Sequence, residues 1–189
     1  MFILYAIPIG ISVGYLLGGR LDGLARLRLR WAPLALIGLA VQVAIFSDPL
    51  GPLVGDAAPA IYVVSTAAVL VAVVRNLHIP GIALIAIGAS CNLAAIVANG
   101  GYMPADPAAL GSVGGPGAGP SNSIVVAEPA LRQLTDLFAL PTWMPLANVF
   151  SVGDVLIGIG IAATIALAMR DRTVVRPDSA ASADASQAR

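Results

Sequence analysis

Asp154 stands inside a long apolar run and directly follows Ser151-Val152-Gly153. An aspartate in such a run is costly unless it faces other protein, pairs or is protonated. It therefore marks a functional site or a structural hydrogen-bond network. Other polar residues fall in apolar runs at comparable depth. Asn92 and Asn99 are seven apart, hence on one helix face, and Gln42, Ser65 and Thr66 lie near the same end of their own runs. Arg132 is the one arginine placed to reach Asp154 from that end. Asp154, Asn92, Asn99, Ser151, Arg132 and Gln42 are the expected ligand-binding set, a polar pocket open to one face. The plain alternative is interhelical hydrogen bonding, at about 0.6 kcal/mol per contact.

Several chemistries are excluded. His78 is the only histidine, Cys91 the only cysteine, and there is no lysine. That removes HExxH zinc chemistry, a thiolate metal site, a disulfide and a Ser-Lys dyad. Ser151-Val152-Gly153-Asp154 resembles the Gly-x-Gly-Asp stretch of intramembrane aspartic proteases, with serine in place of the first glycine. That chemistry needs two carboxyls sharing a proton, and no second aspartate lies inside an apolar run. No catalytic, metal or cofactor set is expected.

The elements that hold these residues follow from composition. The chain has 189 residues, 58% hydrophobic and 11% charged, with formal net charge +0. A soluble domain carries roughly 25% charged residues. A soluble enzyme and a nucleic-acid binder are both excluded on these grounds. Five runs approach the roughly 20 residues that cross a hydrocarbon core. The expected fold is all-α, a polytopic membrane protein with a five-transmembrane-helix bundle. Its spans fall near 2–19, 31–47, 57–75, 79–99 and 147–170 of one domain, 1–170, with one long outer loop over 100–146. The first run lacks a basic n-region and a small-x-small cleavage site, so it is expected to be a span rather than a signal peptide.

Arginine sets the orientation. Arg20, Arg26, Arg28, Arg30, Arg75, Arg170, Arg172, Arg176 and Arg189 fall on one side of a five-span chain, and Arg132 alone on the other. The positive-inside rule puts the N-terminus outside and the C-terminus in the cytoplasm. Arg26, Arg28 and Arg30 alternate with Leu27 and Leu29, as in a segment lying on anionic lipid.

The loop divides. Residues 111–123 read as a flexible linker, and 171–189 as a disordered tail. Glu128-Pro129 opens an expected helix to about Leu140, with Leu131, Leu134, Leu137 and Phe138 on one face and Arg132 and Asp136 on another. Gly10, Gly14 and Gly18 stand four apart, a spacing for close helix packing within this chain or in a homodimer.

Three stretches together carry a family resemblance. They are Gly19-Arg20-Leu21 with its basic loop, Asn92 through Asn99-Gly100-Gly101-Tyr102-Met103-Pro104, and Phe150 through Gly153-Asp154 to Leu156. In this order they resemble the bacterial membrane-protein family of unknown function DUF5317, over about residues 1–170. The resemblance marks Asn99, Gly100, Gly101, Met103, Pro104, Gly153 and Asp154 as signature positions. It implies a bacterial inner (plasma) membrane and carries no mechanism. The expected function is non-enzymatic: binding a membrane lipid, a small amphiphile or a protein partner through the outer pocket. An enzyme acting on lipid or isoprenoid head groups, and a small transporter component, are the alternatives.

Overall fold

The computed structural model describes residues 2–47, 51–113 and 123–170. Most of the linker and all of the tail therefore lie outside the described residues. Helix dominates, as the apolar runs predict. The helices are α1 (Ala6–Leu16), α2 (Ala32–Ile45), α3 (Gly51–Val54), α4 (Ala58–Val74), α5 (Ile82–Ala98), α6 (Pro107–Ser112) and α7 (Val152–Arg170). Two are long and apolar enough to cross a membrane: α7, and α4 with the 3-10 turn before it, Gly55–Val74. Segments Phe2–Leu16, Ala32–Ile45 and Ile82–Ala98 are apolar but shorter.

The long helices pack in the order α1, α7, α5, α4, α2, so the last helix in sequence wedges between the first and α5. Glycine sets these contacts. A side chain at Gly10 would meet the Ala162 backbone at 2.9 Å, and one at Gly14 would run into Met169. Both glycines thus serve packing inside the chain. Gly18 lies beyond α1, exposed, with φ 75°, and is not on the helix face that the four-residue spacing predicts. There it ends the helix, and Gly19 N–H closes on Gly14 O at 2.8 Å. On α5, a side chain at Gly88 would meet Ile157 N at 3.0 Å. On α7, one at Gly160 would meet Ile85 N at 2.8 Å.

The 100–150 segment, in its described residues, packs against α5 and α7. Four two-residue strands occur in it: β1 (Met103–Pro104) pairs in parallel with β2 (Ser123–Ile124), and β3 (Phe138–Ala139) pairs antiparallel with β4 (Val149–Phe150). The helix expected over 129–140 is absent. A 3-10 turn at Arg132–Leu134 stands there, entered through Leu131 in a left-handed conformation and left through extended Thr135. The reason is competition for backbone groups. Asp136 N–H donates to Pro104 O at 2.9 Å and Asp106 N–H to Asp136 O at 2.9 Å. An isolated helix of that length is marginal in water, and these partners satisfy the backbone instead. The last helix begins at 152 rather than 147 for a related reason: residues 149–150 are taken into β4.

At the opposite end the arginine-bearing loops meet the end of α7. Arg20 N–H donates to Met169 O at 2.8 Å, and Thr164 Oγ1 to Pro80 O at 3.0 Å. Asn76 brackets Arg30, accepting from its N–H at 2.7 Å and donating to its carbonyl at 2.8 Å. The Arg75 guanidinium lies 4.5 Å from the Trp31 ring centroid.

Candidate functional site

Ser151 caps α7. Its Oγ accepts from Asp154 N–H at 3.1 Å, and the Asp154 carboxyl accepts from Ser151 N–H at 3.0 Å. This reciprocal pair is a capping box, with Asp in place of the usual Glu. The S-x-x-D spacing before an apolar run is its sequence signal. Asn92, near the middle of α5, completes the arrangement. Its Nδ2 donates to Asp154 Oδ1 at 2.8 Å, and its Oδ1 accepts from Ser151 Oγ at 2.9 Å. Three side chains thus form a closed ring across the α5–α7 contact. Gly153 makes room for it, because a Cβ there would collide with Asn92 Oδ1.

A cavity of about 270 Å³ opens beside this ring, bounded by the start of the chain, α2, α4, α5 and α7. Gln42, Asn92, Asp136, Asn148 and Asp154 are among its polar lining. Gln42 Nε2 donates to Thr66 Oγ1, also in the lining, at 3.3 Å. No arginine or histidine among the described residues lines it. Phe2 closes one side, stacked on Phe150 with ring centroids 4.3 Å apart, while its N–H donates to Asn148 Oδ1 at 2.9 Å.

Asp136 is a member that sequence spacing misses. A helical 129–140 would set it on the solvent face with Arg132. The structure buries it at 5% exposure within the loop, where Ser123 Oγ donates to its Oδ2 at 2.7 Å. Burial pushes its carboxyl up to about 7 from 3.8, the Ser123 hydrogen bond pulls it down, and nearby Asp154 raises it further. Two carboxyls therefore face one cavity, from the loop and from a helix start.

Other expected members lie elsewhere. Arg132 does not meet Asp154; it approaches Asp106 at 3.6 Å on the surface. Asn99 fastens the loop: its Nδ2 donates to Ala130 O at 2.9 Å and its Oδ1 accepts from Ala130 N–H at 2.9 Å. Met103 is buried with Tyr62 and Ile96 in the core beneath the loop. Pro104 is fully buried, and its carbonyl accepts from Asp136. Gly100 and Gly101, with φ 71° and 90°, turn the chain out of α5, and Gly101 lies against Pro59. No group of His, Cys, Asp and Glu among the described residues could hold a metal ion.

The profile of a family of unknown function, DUF5317, matches residues 26–166. The chain belongs to this family. The matched span contains the cavity's polar residues, the loop-fastening Asn99 and the Ser151–Asp154 box, and leaves Gly10, Gly14 and Gly18 outside it. No curated protein and no solved structure matches this DUF5317 chain.

Proposed function

We propose that this chain is a five-span membrane protein that binds a small amphiphile through the cavity beneath the 100–146 loop. The outward faces of its helices support the membrane setting. Leu36, Ile37, Val43 and Val64 are all more than 60% exposed, and only 17% of the α4 apolar window is buried. The core helix of a soluble protein buries most of its apolar surface, whereas lipid accepts these faces. Helices of 14 to 17 residues, such as α2 and α5, rise about 21–26 Å, so they span with the turns at their ends or with local thinning. The proposed setting is the bacterial plasma membrane, with the C-terminus in the cytoplasm.

One observation carries the ligand class: Asp136 and Asp154 line one cavity that no basic side chain enters among the described residues. Such a lining suits a head group with an amine or several hydroxyl donors, and the apolar walls, Leu39, Val69 and Ile157, suit its hydrocarbon. Gentle purification followed by mass spectrometry of co-purifying small molecules tests this. A cationic or polyhydroxyl amphiphile, retained by the wild type and lost from Asp136→Ala, is the expected result. No bound amphiphile, or one retained equally by both, would end the reading.

A membrane enzyme acting on lipid head groups is the second reading. The Asp136 carboxyl, raised to about 7, is favourable to it, since proton transfer works best near the operating pH. Conversion of the co-purified molecule by the protein would select it.

A further inference from the structure

We propose that the arginine-rich end of the bundle holds a binding site for the phosphate head group of an anionic phospholipid. A second cavity, of about 590 Å³, lies there between the loop after α1, the loop after α4 and the end of α7. Arg26, Arg28, His78 and Arg170 line it, on three separate segments, and no acidic side chain does so among the described residues. Leu27, Ile79 and Leu167 supply apolar wall beside them.

The site is built by fixed backbone. Gly23, at whose position a Cβ would meet Met169 Cα at 2.9 Å, seats the first loop on α7. The second loop is tied down by the Thr164 to Pro80 hydrogen bond. Both loops are thus anchored to one helix while their cations border the space between them. Helix-dipole complementarity accounts for Arg170 in the last turn of α7. It does not account for Arg28 and His78 around the same space. Guanidinium forks fit phosphate oxygens in pairs, and basic pockets between helices on the cytoplasmic side suit anionic head groups. Apolar wall beside the cations favours a lipid over a free anion. The inference rests on the membrane reading but concerns the opposite end from the acidic cavity, so either site can fail without the other.

The full chain in detergent micelles is titrated with short-chain phosphatidylglycerol and, separately, phosphatidylcholine, with bound lipid counted by native mass spectrometry. Phosphatidylglycerol should bind in preference. The double variant Arg28→Gln, Arg170→Gln should weaken it about thirtyfold. Arg132→Gln, at the other end, should leave it unchanged. Arg28 and Arg170 are both exposed, so the variant chain should fold. If the double variant does not fold, the single variants carry the test, each about fivefold weaker. Equal binding of the two lipids, or undiminished binding by the variants, overturns the proposal. Displacement of phosphatidylglycerol by inorganic phosphate in comparable amounts also overturns it, by making the ligand a soluble anion.

Discussion

Asn92 Nδ2 lies 2.8 Å from Asp154 Oδ1, joining the middle of α5 to the first turn of α7. Because Asn92 also accepts from Ser151, removing it strips a partner from both residues of the capping box. Asn92→Ala should destabilise the chain by about 1–3 kcal/mol, since two part-buried groups lose a partner. Asp154→Asn keeps the shape but cannot accept both bonds through its single oxygen; about 1 kcal/mol is expected. Denaturant unfolding in micelles, run as a double-mutant cycle, checks both. Strict additivity of the two losses would show that the pair is not coupled.

The glycines of the α5–α7 contact should tolerate alanine badly. At Gly88, a methyl group would press on the Gly153 carbonyl and on Ile157, so backbone must move. At Gly153 it would strike the Asn92 amide and break the ring as well. Each substitution is expected to cost about 1–3 kcal/mol, with Gly153→Ala the larger. At Gly111 nothing lies within 4 Å of an added Cβ, and Gly111→Ala should fall within about 0.5 kcal/mol of wild type. Thermal unfolding of the three variants in one detergent decides the order.

Those two cases show what the sequence made legible. Apolar runs ended by Arg20, Arg75 and Asn99 located the helices, because charge and helix-ending residues act locally. The Ser151, Asn92 and Asp154 constellation was also legible, since depth along two helices needs only their starting points. Asp136 was not. Its burial depends on the backbones of Pro104 and Asp106, some thirty residues earlier, taking its hydrogen bonds. The spacing of Leu131, Leu134 and Phe138 predicts a helix there, and no local pattern reports a pairing with so distant a segment. Arg132 misleads for the same reason, since its partner Asp106 is close only after that pairing forms.

Asp136 should make stability fall as pH rises. Its folded carboxyl holds its proton up to about 7, against 3.8 as the ordinary value. Below the lower value both folded and unfolded chains are protonated, and the group carries no penalty. Between the two, the unfolded chain releases its proton while the folded chain keeps it, so stability declines with rising pH and levels off above about 7. The full decline is on the order of 4 kcal/mol at most. Asp136→Asn can still accept from Ser123, and it should flatten the profile and melt higher than wild type at alkaline pH. A wild-type melting temperature that does not fall between pH 5 and pH 8 would contradict this burial effect.

Asn99 should govern the loop more than the helices. Its side-chain amide matches the backbone of Ala130 at two points, fixing the loop beside the end of α5. Asn99→Ala removes both bonds, at a cost of about 1–2 kcal/mol. Hydrogen exchange should quicken over residues 123–136 and stay unchanged in α4 and α7. Equal quickening in α7 would mean that Asn99 supports the whole bundle.

The proposed sidedness of the chain rests on arginine. Arg20, Arg26, Arg28, Arg30, Arg75 and Arg170 gather at the end where the loops join the last turn of α7, while Arg132 lies in the 100–150 segment. In the membrane setting proposed above, the positive-inside rule would turn the first end toward the cytoplasm. Cys91 can be replaced by Ala to give a cysteine-free chain, because it is the only cysteine. Single cysteines at Ala25 and Ala108, both exposed, then report the two ends. In intact cells a membrane-impermeant thiol reagent should label the cysteine at 108 and spare the one at 25 until the membrane is opened. Labelling of both in intact cells would refute the five-span arrangement, and labelling of 25 alone would invert it. Inversion would set the acidic cavity in the cytoplasmic leaflet, so its ligand would be sought among cytoplasmic amphiphiles.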